Sequence, residues 1–167
     1  MAKNLWAPWR MQYIDQIRED ECFLCDAIGA ESSQDAQNLV LWRTPYCFAI
    51  CNRFPYTNGH LLIAPIEHKA ELSDLTREEL LGLFDAVCKM QLLLKSVMNP
   101  DGFNIGLNFG RAAGAGLLEH LHIHIVPRWE GDTNFMPVIG DAKVIPESLS
   151  ALYRRLRQAL EKDTGRG

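Results

Sequence analysis

Histidine alternates with aliphatic residues at residues 120–127, which read HLHIHIVP. A β-strand places alternate side chains on opposite faces, so His120, His122 and His124 would share one face. Each buried imidazole needs hydrogen-bond partners for two ring nitrogens, and three in a row are therefore costly unless they have a chemical task. The pattern predicts a strand that packs through one face and carries reactive groups on the other.

The rest of the sequence predicts further strands and a long helix. Residues 39–42, 46–52 and 60–65 are short runs rich in β-forming residues, and turn residues separate the last two runs. Thr76 begins a capping box, after which a helix of about five or six turns continues to a stop signal at residues 99–102. One face of this helix is marked by apolar residues: Leu81, Phe84, Cys88 and Leu92.

A second alternating run precedes the histidines. Residues 103–109 read FNIGLNF, which predicts a half-buried strand whose second face carries Asn104, Gly106 and Asn108. A glycine-rich loop at residues 110–116 then leads to the histidine strand, so we expect two adjacent antiparallel strands whose amides and histidines face one site. After Pro146, apolar residues at helical spacing predict a C-terminal amphipathic helix.

Composition narrows the class of protein. With 167 residues, of which 47% are hydrophobic and 23% charged, the chain fits a single domain spanning 1–167. A net charge of −4 disfavours binding to nucleic acid by bulk electrostatics, so we expect no nucleic-acid partner. The N-terminus lacks a signal-peptide core and no run approaches ~20 apolar residues, which predicts a cytoplasmic protein without a membrane partner.

The cysteines divide into two groups. Five cysteines without an export signal disfavour a disulfide framework. Ordinary buried thiols explain Cys47, Cys51 and Cys88. Cys22 and Cys25 form a CxxC turn, which is compatible with a tetrahedral zinc, a redox pair or chance.

The three histidines are expected to have different roles. On a straight strand the α-carbons of His120 and His124 lie about 13 Å apart, so three rings converging on one ion would require marked bending. A neutral imidazole is available near pH 7 as a nucleophile or base. Asn108 and the glycine-rich backbone suit the oxygens of a phosphate. Satisfied core histidines are the alternative, which three alternating histidines beside such a loop disfavour.

The histidine pattern resembles the His-φ-His-φ-His-φ-φ signature of the histidine triad (HIT) superfamily, where φ is a hydrophobic residue. Residues 52–55 (NRFP), 59–65 (GHLLIAP) and 102–108 (GFNIGLN) follow the order and spacing of that family, so the resemblance covers residues 22–128. Residues 6–10 and 127–132 resemble a bacterial branch related to the fragile histidine triad proteins and to diadenosine tetraphosphate phosphorylases and hydrolases.

The resemblance implies an α+β, HIT-like fold. We expect an antiparallel sheet of about five strands with one long helix and a C-terminal helix, and sheets that pair across a homodimer. The domain would have its core at 22–128, an N-terminal arm at 1–21 and an extension with a helix at 129–167.

The resemblance also implies a mechanism. His122 would attack the α-phosphorus of a nucleotide substrate and form a covalent nucleotidyl-histidine, while a backbone carbonyl accepts its other ring proton. His124 would contact phosphate oxygens and Asn108 would donate an amide hydrogen bond. Water or inorganic phosphate would then release the product. The expected substrate is a dinucleoside polyphosphate such as diadenosine tetraphosphate, and no organic cofactor is expected.

In several bacterial relatives a structural zinc is held by two cysteines, a histidine after the apolar strand and the first triad histidine. The matching residues are Cys22, Cys25, His68 and His120. A complete ligand set is stronger than the CxxC turn alone, and it predicts zinc here.

Further residues follow from the same resemblance. Asn52 matches a ribose-binding position, although an asparagine that ends a strand before a turn is the plain alternative. Ile50 and Leu62 would wall a base pocket or belong to the core. His60 is expected outside the catalytic face in a structural role.

The loop before the triad departs from the family pattern. Many relatives carry a glutamine and a serine or threonine there, whereas residues 114–119 read GAGLLE. We expect backbone amides of Gly114 or Gly116 to replace the missing donors, with the Arg111 side chain as the alternative. The alternatives are an adenosine phosphoramidase or aminoacyl-adenylate hydrolase of the same fold, a nucleotide-binding module with incidental catalysis, or a catalytic metal at the triad.

Overall fold

The structure is a computed structural model that describes residues 22–132 and 145–164. The predicted arm at 1–21 and part of the C-terminal extension lie outside the described residues. Five strands form one antiparallel sheet in the order β1-β2-β3-β5-β4. They are β1 Val40–Arg43, β2 Cys47–Cys51, β3 Leu61–Pro65, β4 Gly102–Leu107 and β5 Ile123–Arg128.

Four α-helices accompany the sheet in the described part of the chain. They are α1 Phe23–Gly29, α2 Asp35–Asn38, α3 Arg77–Met98 and α4 Leu149–Thr164. Short 3-10 turns lie at Ser32–Gln34, Leu72–Asp74 and Arg111–Ala113. The expected α+β architecture, with about five strands, a long helix and a C-terminal helix, is confirmed.

Strand register divides the sheet into two faces with different tasks. Ile50 pairs with Leu62, and Leu62 pairs with His124, so these side chains share one face. On that face α1 packs Leu24 over Phe48 and its neighbours. We call it the histidine face.

The opposite face carries the larger apolar core. Side chains of α3 and α4, including Met90 and Leu156, pack there with Ile63 and Ile125. Because β2 and β3 are covered on both faces, every residue of these two strands is buried. The core thus fixes the central strands and leaves β4 at an edge of the sheet.

Helix α3 begins at the predicted capping box. The hydroxyl of Thr76 accepts a hydrogen bond from the Glu79 N–H, and the Glu79 carboxylate accepts one from the Thr76 N–H. The helix ends at Asn99, which adopts the left-handed conformation typical of a helix C-terminus. The predicted start and stop signals are confirmed.

The apolar face read from the α3 sequence does not pack on the sheet. Phe84 and Leu92 are 57% and 67% exposed, and Leu81 and Cys88 are exposed as well. The prediction of a buried Cys88 is therefore wrong, whereas Cys47 and Cys51 are buried as predicted. The sheet is instead contacted by residues one step around the helix: Leu83, Ala86, Val87, Met90, Leu93 and Leu94. Both faces of α3 are apolar, so periodicity alone could not identify the one that packs.

The histidine strand is shorter than predicted. It begins at Ile123, so His120 and His122 precede the ladder and only His124 lies within it. The Leu121 N–H donates to the Lys69 carbonyl, which draws this segment toward the loop after β3. This departure from a regular strand allows His120 to turn away from the other two histidines.

We find no helix among the described residues with the length and hydropathy needed to cross a membrane.

Candidate active site

Two of the three triad histidines are neighbours on the histidine face. His124 pairs with Leu62 on one side and with Gly106 on the other. The rings of His122 and His124 meet edge to face, with their centroids 4.9 Å apart. The two imidazoles can therefore act on the same group.

Backbone geometry determines the tautomer of His122. Its Nδ1 lies 2.9 Å from the carbonyl oxygen of His120, and a carbonyl only accepts, so Nδ1 carries the proton. Nε2 then keeps its lone pair. The side chain is only 8% exposed, and burial lowers the pKa of this imidazole despite the opposing effect of the carbonyl. His122 is therefore a neutral, oriented nucleophile or base near pH 7.

His60 lies on the histidine face, so the prediction that it sits outside that face is wrong. It is buried, and its Nε2 lies 2.9 Å from Nδ1 of His124. The sequence did carry a signal for this position: residues 60 and 62 have the same parity, and Leu62 pairs with His124. The rings of Tyr56 and His60 lie 4.6 Å apart, and sequence reasoning missed Tyr56 altogether.

The contacts of His60 also determine the tautomer of His124. The Tyr56 N–H donates to Nδ1 of His60 over 3.0 Å, so that nitrogen is an acceptor and the proton of neutral His60 is on Nε2. His60 then donates to Nδ1 of His124, which leaves the His124 proton on Nε2. Nε2 of His122 thus presents a lone pair, whereas Nε2 of His124 presents an N–H donor.

Two asparagines lie close to this histidine pair. The Asn108 amide nitrogen is 3.4 Å from Nε2 of His124, as the alternation in β4 predicted. With the His124 proton on Nε2 both groups are donors, so they do not hydrogen-bond to each other and both can donate to one acceptor. The Asn52 amide nitrogen is 3.3 Å from Nδ1 of His60, and its amide oxygen accepts the Phe54 N–H. Asn52 therefore closes the turn after β2, and its ribose-binding role stays a prediction.

A cleft of about 340 Å³ opens beside His124 and follows the edge of the sheet. It runs along β4 and β5 and ends at Arg128, which sequence reasoning did not single out. Polar and apolar side chains alternate around it, which suits a ligand with a charged and an uncharged part. The residues that line it are Tyr56, Thr57, Asn104, Ile105, Gly106, Asn108, His124, Val126 and Arg128.

The glycine-rich loop uses one of its predicted donors internally. The Gly114 N–H donates to the Arg111 carbonyl over 3.0 Å, and Gly114 adopts a left-handed conformation. The Gly114 amide is thus used within the loop in this geometry, and its role as a phosphate donor stays a prediction. Leu117 packs against the apolar cluster under α1, and Gly116 as a phosphate donor stays a prediction.

Ile50 and Leu62 are core residues in this structure. Each is only 2% exposed, and both belong to the cluster that Leu24 of α1 covers. This burial fits the core role, and the role of the two residues as walls of a base pocket stays a prediction. Both still lie on the histidine face, directly beneath α1.

Four side chains converge into a candidate metal centre. The ligand atoms of Cys22, Cys25, His68 and His120 all lie within 4.8 Å of one another. Nδ1 of His120 is 3.2 Å from Sγ of Cys22, and Nδ1 of His68 is 3.2 Å from Sγ of Cys25. Zinc bonds of ~2.0–2.3 Å in a tetrahedron separate neighbouring ligand atoms by roughly 3.3–3.8 Å, close to the spacing observed here.

The protonation chemistry of this centre also fits a cation. Nε2 of His120 lies 3.0 Å from the Pro65 carbonyl, so Nε2 carries the proton and Nδ1 keeps a lone pair toward the thiols. Burial lowers the pKa of His120 to about 4, so its ring stays neutral. Burial and the neighbouring Cys22 raise the pKa of Cys25 to about 11. A pair of thiolates at this spot therefore needs a positive partner, which a divalent metal supplies.

Comparison with known proteins identifies the family to which this chain is similar. The family model of the HIT domain matches residues 33–131. An AP-4-A phosphorylase from Mycobacterium tuberculosis (strain CDC 1551 / Oshkosh) is 39% identical over 160 residues, which cover 92% of this chain and 82% of that protein. An asymmetrical bis(5'-nucleosyl)-tetraphosphatase from Schizosaccharomyces pombe is 31% identical over 142 residues, covering 76% and 78% of the two chains.

The fold has solved counterparts as well. A hypothetical histidine triad nucleotide-binding protein from Sulfolobus tokodaii superposes with a TM-score of 0.66 at 26% identity. The match covers 84% of this chain and 93% of that one.

The tautomers can be observed directly. In long-range ¹H–¹⁵N spectra recorded above the pKa of free imidazole, we expect His122 as the Nδ1–H form and His60 and His124 as the Nε2–H form. Backbone groups set the rings of His122 and His60, and the His60 ring sets His124. Replacing His60 with phenylalanine should remove the Nε2–H preference of His124 and leave His122 unchanged. A dominant Nε2–H form of His122 in the unaltered protein would contradict the geometry.

Proposed function

The chain belongs to the histidine triad (HIT) family, and from this premise we propose that it is an enzyme that cleaves a phosphoanhydride bond of a dinucleoside polyphosphate. One observation carries the proposal: the His120 carbonyl holds the Nδ1–H of His122, which leaves its Nε2 as a neutral nucleophile beside the N–H donor of His124. The relatives named as AP-4-A phosphorylase and as bis(5'-nucleosyl)-tetraphosphatase support the substrate class.

The first step is transfer of a nucleotidyl group to His122. Nε2 attacks the α-phosphorus and forms a P–N bond, while the bridging P–O bond breaks and the remaining nucleotide departs with the bond's electron pair. The imidazole becomes positive as the bond forms, and the His120 carbonyl at Nδ1–H stabilises that charge. His124 and Asn108 donate to the phosphate oxygens, where negative charge accumulates.

The second step releases the nucleotide from His122. Water attacks the phosphorus to give a mononucleotide, or inorganic phosphate attacks to give a nucleoside diphosphate, and the P–N bond electrons return to Nε2. For diadenosine tetraphosphate the products are ATP with AMP in the first case and ATP with ADP in the second. Asn52, beside His60, would bind the ribose, and the Gly116 N–H would donate a hydrogen bond to the phosphates.

We further propose that Cys22, Cys25, His68 and His120 hold a structural zinc. The ligand spacing and the Pro65 carbonyl behind His120 support this, because that hydrogen bond directs the Nδ1 lone pair toward the thiols. Zinc, when bound, supplies a fixed crosslink between α1, the loop after β3 and the segment before β5. Its thiol ligands need a reducing compartment, which favours a cytoplasmic location.

A homodimer completes the proposal. Leu81, Phe84 and Leu92 give α3 an exposed apolar stripe, and β4 is an edge strand on which Ile105 is exposed. By register Ile105 belongs to the sheet face that carries α3. Exposed apolar surfaces and unpaired strand edges are common sites of protein association. A second copy of the same surface would cover the apolar face of α3 and the edge of β4 together.

Product analysis tests the activity. With diadenosine tetraphosphate and phosphate we expect either ATP plus ADP or ATP plus AMP, and the H122A variant should lower kcat at least ~10³-fold because the nucleophile is gone. Nucleotide affinity of the variant should stay within about threefold, since His124 and Asn108 remain. Undiminished turnover by the H122A variant would contradict the mechanism. If the unaltered protein cleaves an adenosine phosphoramidate but not diadenosine tetraphosphate, it is a phosphoramidase instead.

Metal analysis tests the zinc. We expect about one zinc per chain, lost in C22S and in C25S because three remaining ligands bind weakly. C88S is the matched control, because Cys88 is exposed on α3 and is not one of the four candidate ligands. The C88S variant should keep the metal. H122A should also keep it. Loss of zinc in H122A would place the metal at the nucleophile and overturn this assignment.

Sedimentation tests the dimer. Because Phe84 is exposed in the protomer, F84E should leave the fold intact but place charge in the interface and shift the protein from dimer to monomer. The control is F54E: Phe54 is another exposed aromatic, on the turn after β2, and this variant should remain dimeric. A monomeric unaltered protein, or an F84E variant with unchanged mass, would exclude this interface.

A further inference from the structure

Arg128 is held rigidly at the far end of the cleft from His124. Its Nη2 donates to Oδ1 of Asp132 over 2.9 Å while Nε donates to the other carboxylate oxygen, and its Nη1 donates to Oδ1 of Asn104 over 2.8 Å. A guanidinium group that is already held by three hydrogen bonds loses little further rotamer freedom when it binds a ligand. Arg128 is nevertheless 46% exposed.

The guanidinium still has donors to offer. It carries five N–H bonds, and the described contacts use three of them, which leaves one on Nη1 and one on Nη2. The Asp132 carboxylate is only 11% exposed and does not line the cleft. Among the described lining residues none is acidic, and Arg128 is the one permanent cation.

The position of Arg128 relates it to the reaction centre. Its side chain reaches Asn104, which pairs with Val126, so the guanidinium lies beside a residue only two positions from His124. Two residues of strand correspond to about 7 Å. His124, Val126 and Arg128 also have the same parity and therefore share the histidine face. A short polyphosphate chain bound at His124 can extend to this distance along the cleft.

We infer that Arg128, positioned by Asp132 and Asn104, binds the phosphates of the leaving nucleotide and so selects substrates with a long polyphosphate chain. This inference rests on the proposed function and names the part of the substrate that the histidines do not contact. It also accounts for the loop at 114–119, which lacks side-chain donors for the bridging phosphates and holds the Gly114 amide internally. Arg128 supplies a charged donor from the opposite end of the cleft.

The kinetic test compares leaving groups. R128Q should lower kcat/KM for diadenosine tetraphosphate about 10–100-fold, the range of a lost charged hydrogen bond. For adenosine 5'-phosphorimidazolide, whose leaving group has no phosphate, the change should stay below about threefold. R128K should recover part of the loss, because it restores the charge without the fork. Equal losses on both substrates, or no loss on either, would mean that Arg128 only stabilises the turn at Asp132.

A binding test separates this inference from the proposed function. In the H122A background, where turnover is absent, R128Q should weaken ATP about 10–100-fold and AMP less than about threefold. Matching effects on ATP and AMP overturn the role of Arg128, whatever the enzyme cleaves. Conversely, an unaltered protein that cleaves no adenosine polyphosphate contradicts the proposed function, and the ATP-to-AMP comparison still decides the role of Arg128.

Discussion

The hydrogen bond from Nδ1 of His122 to the His120 carbonyl is the interaction on which the site depends. It selects the tautomer of His122, and it joins the candidate nucleophile to a residue that is itself fixed. The His120 ring is buried, bonded through Nε2 to the Pro65 carbonyl and faced by the Cys22 thiol. One residue thus serves two sites, because its carbonyl orients the chemistry while its ring anchors the chain between α1 and the sheet.

The two faces of the sheet explain how such a polar site is tolerated. The core against α3 and α4 fixes the central strands from one side. The smaller cluster under α1 covers only part of the histidine face, and the β4 edge stays open as the cleft. His120, His122 and His124 each have one ring nitrogen bonded to a backbone carbonyl or to another imidazole, so their burial costs less than that of three isolated imidazoles would.

Much of this was predictable because the controlling signals are local. Alternation in residues 103–109 placed Asn108 beside His124, the capping box placed the start of α3, and spacing with the family resemblance brought the four metal-ligand candidates together. Other features depend on contacts that no local pattern encodes. Arg128 became notable only when register brought it to Asn104. The packed face of α3 was unpredictable because leucines lie on both of its sides.

By itself the sequence determined the chemical groups and their order: three alternating histidines, a CxxC turn, an amide-bearing strand and a long helix, since period and turn chemistry are properties of neighbouring residues. The tertiary structure decided which nitrogen of each histidine carries its proton and where His60 and Arg128 act. Those outcomes depend on the Tyr56 amide, the Pro65 carbonyl and the strand register, which are distant in sequence or part of the backbone. Protonation and position are set by such neighbours in space, and only the folded chain assembles them.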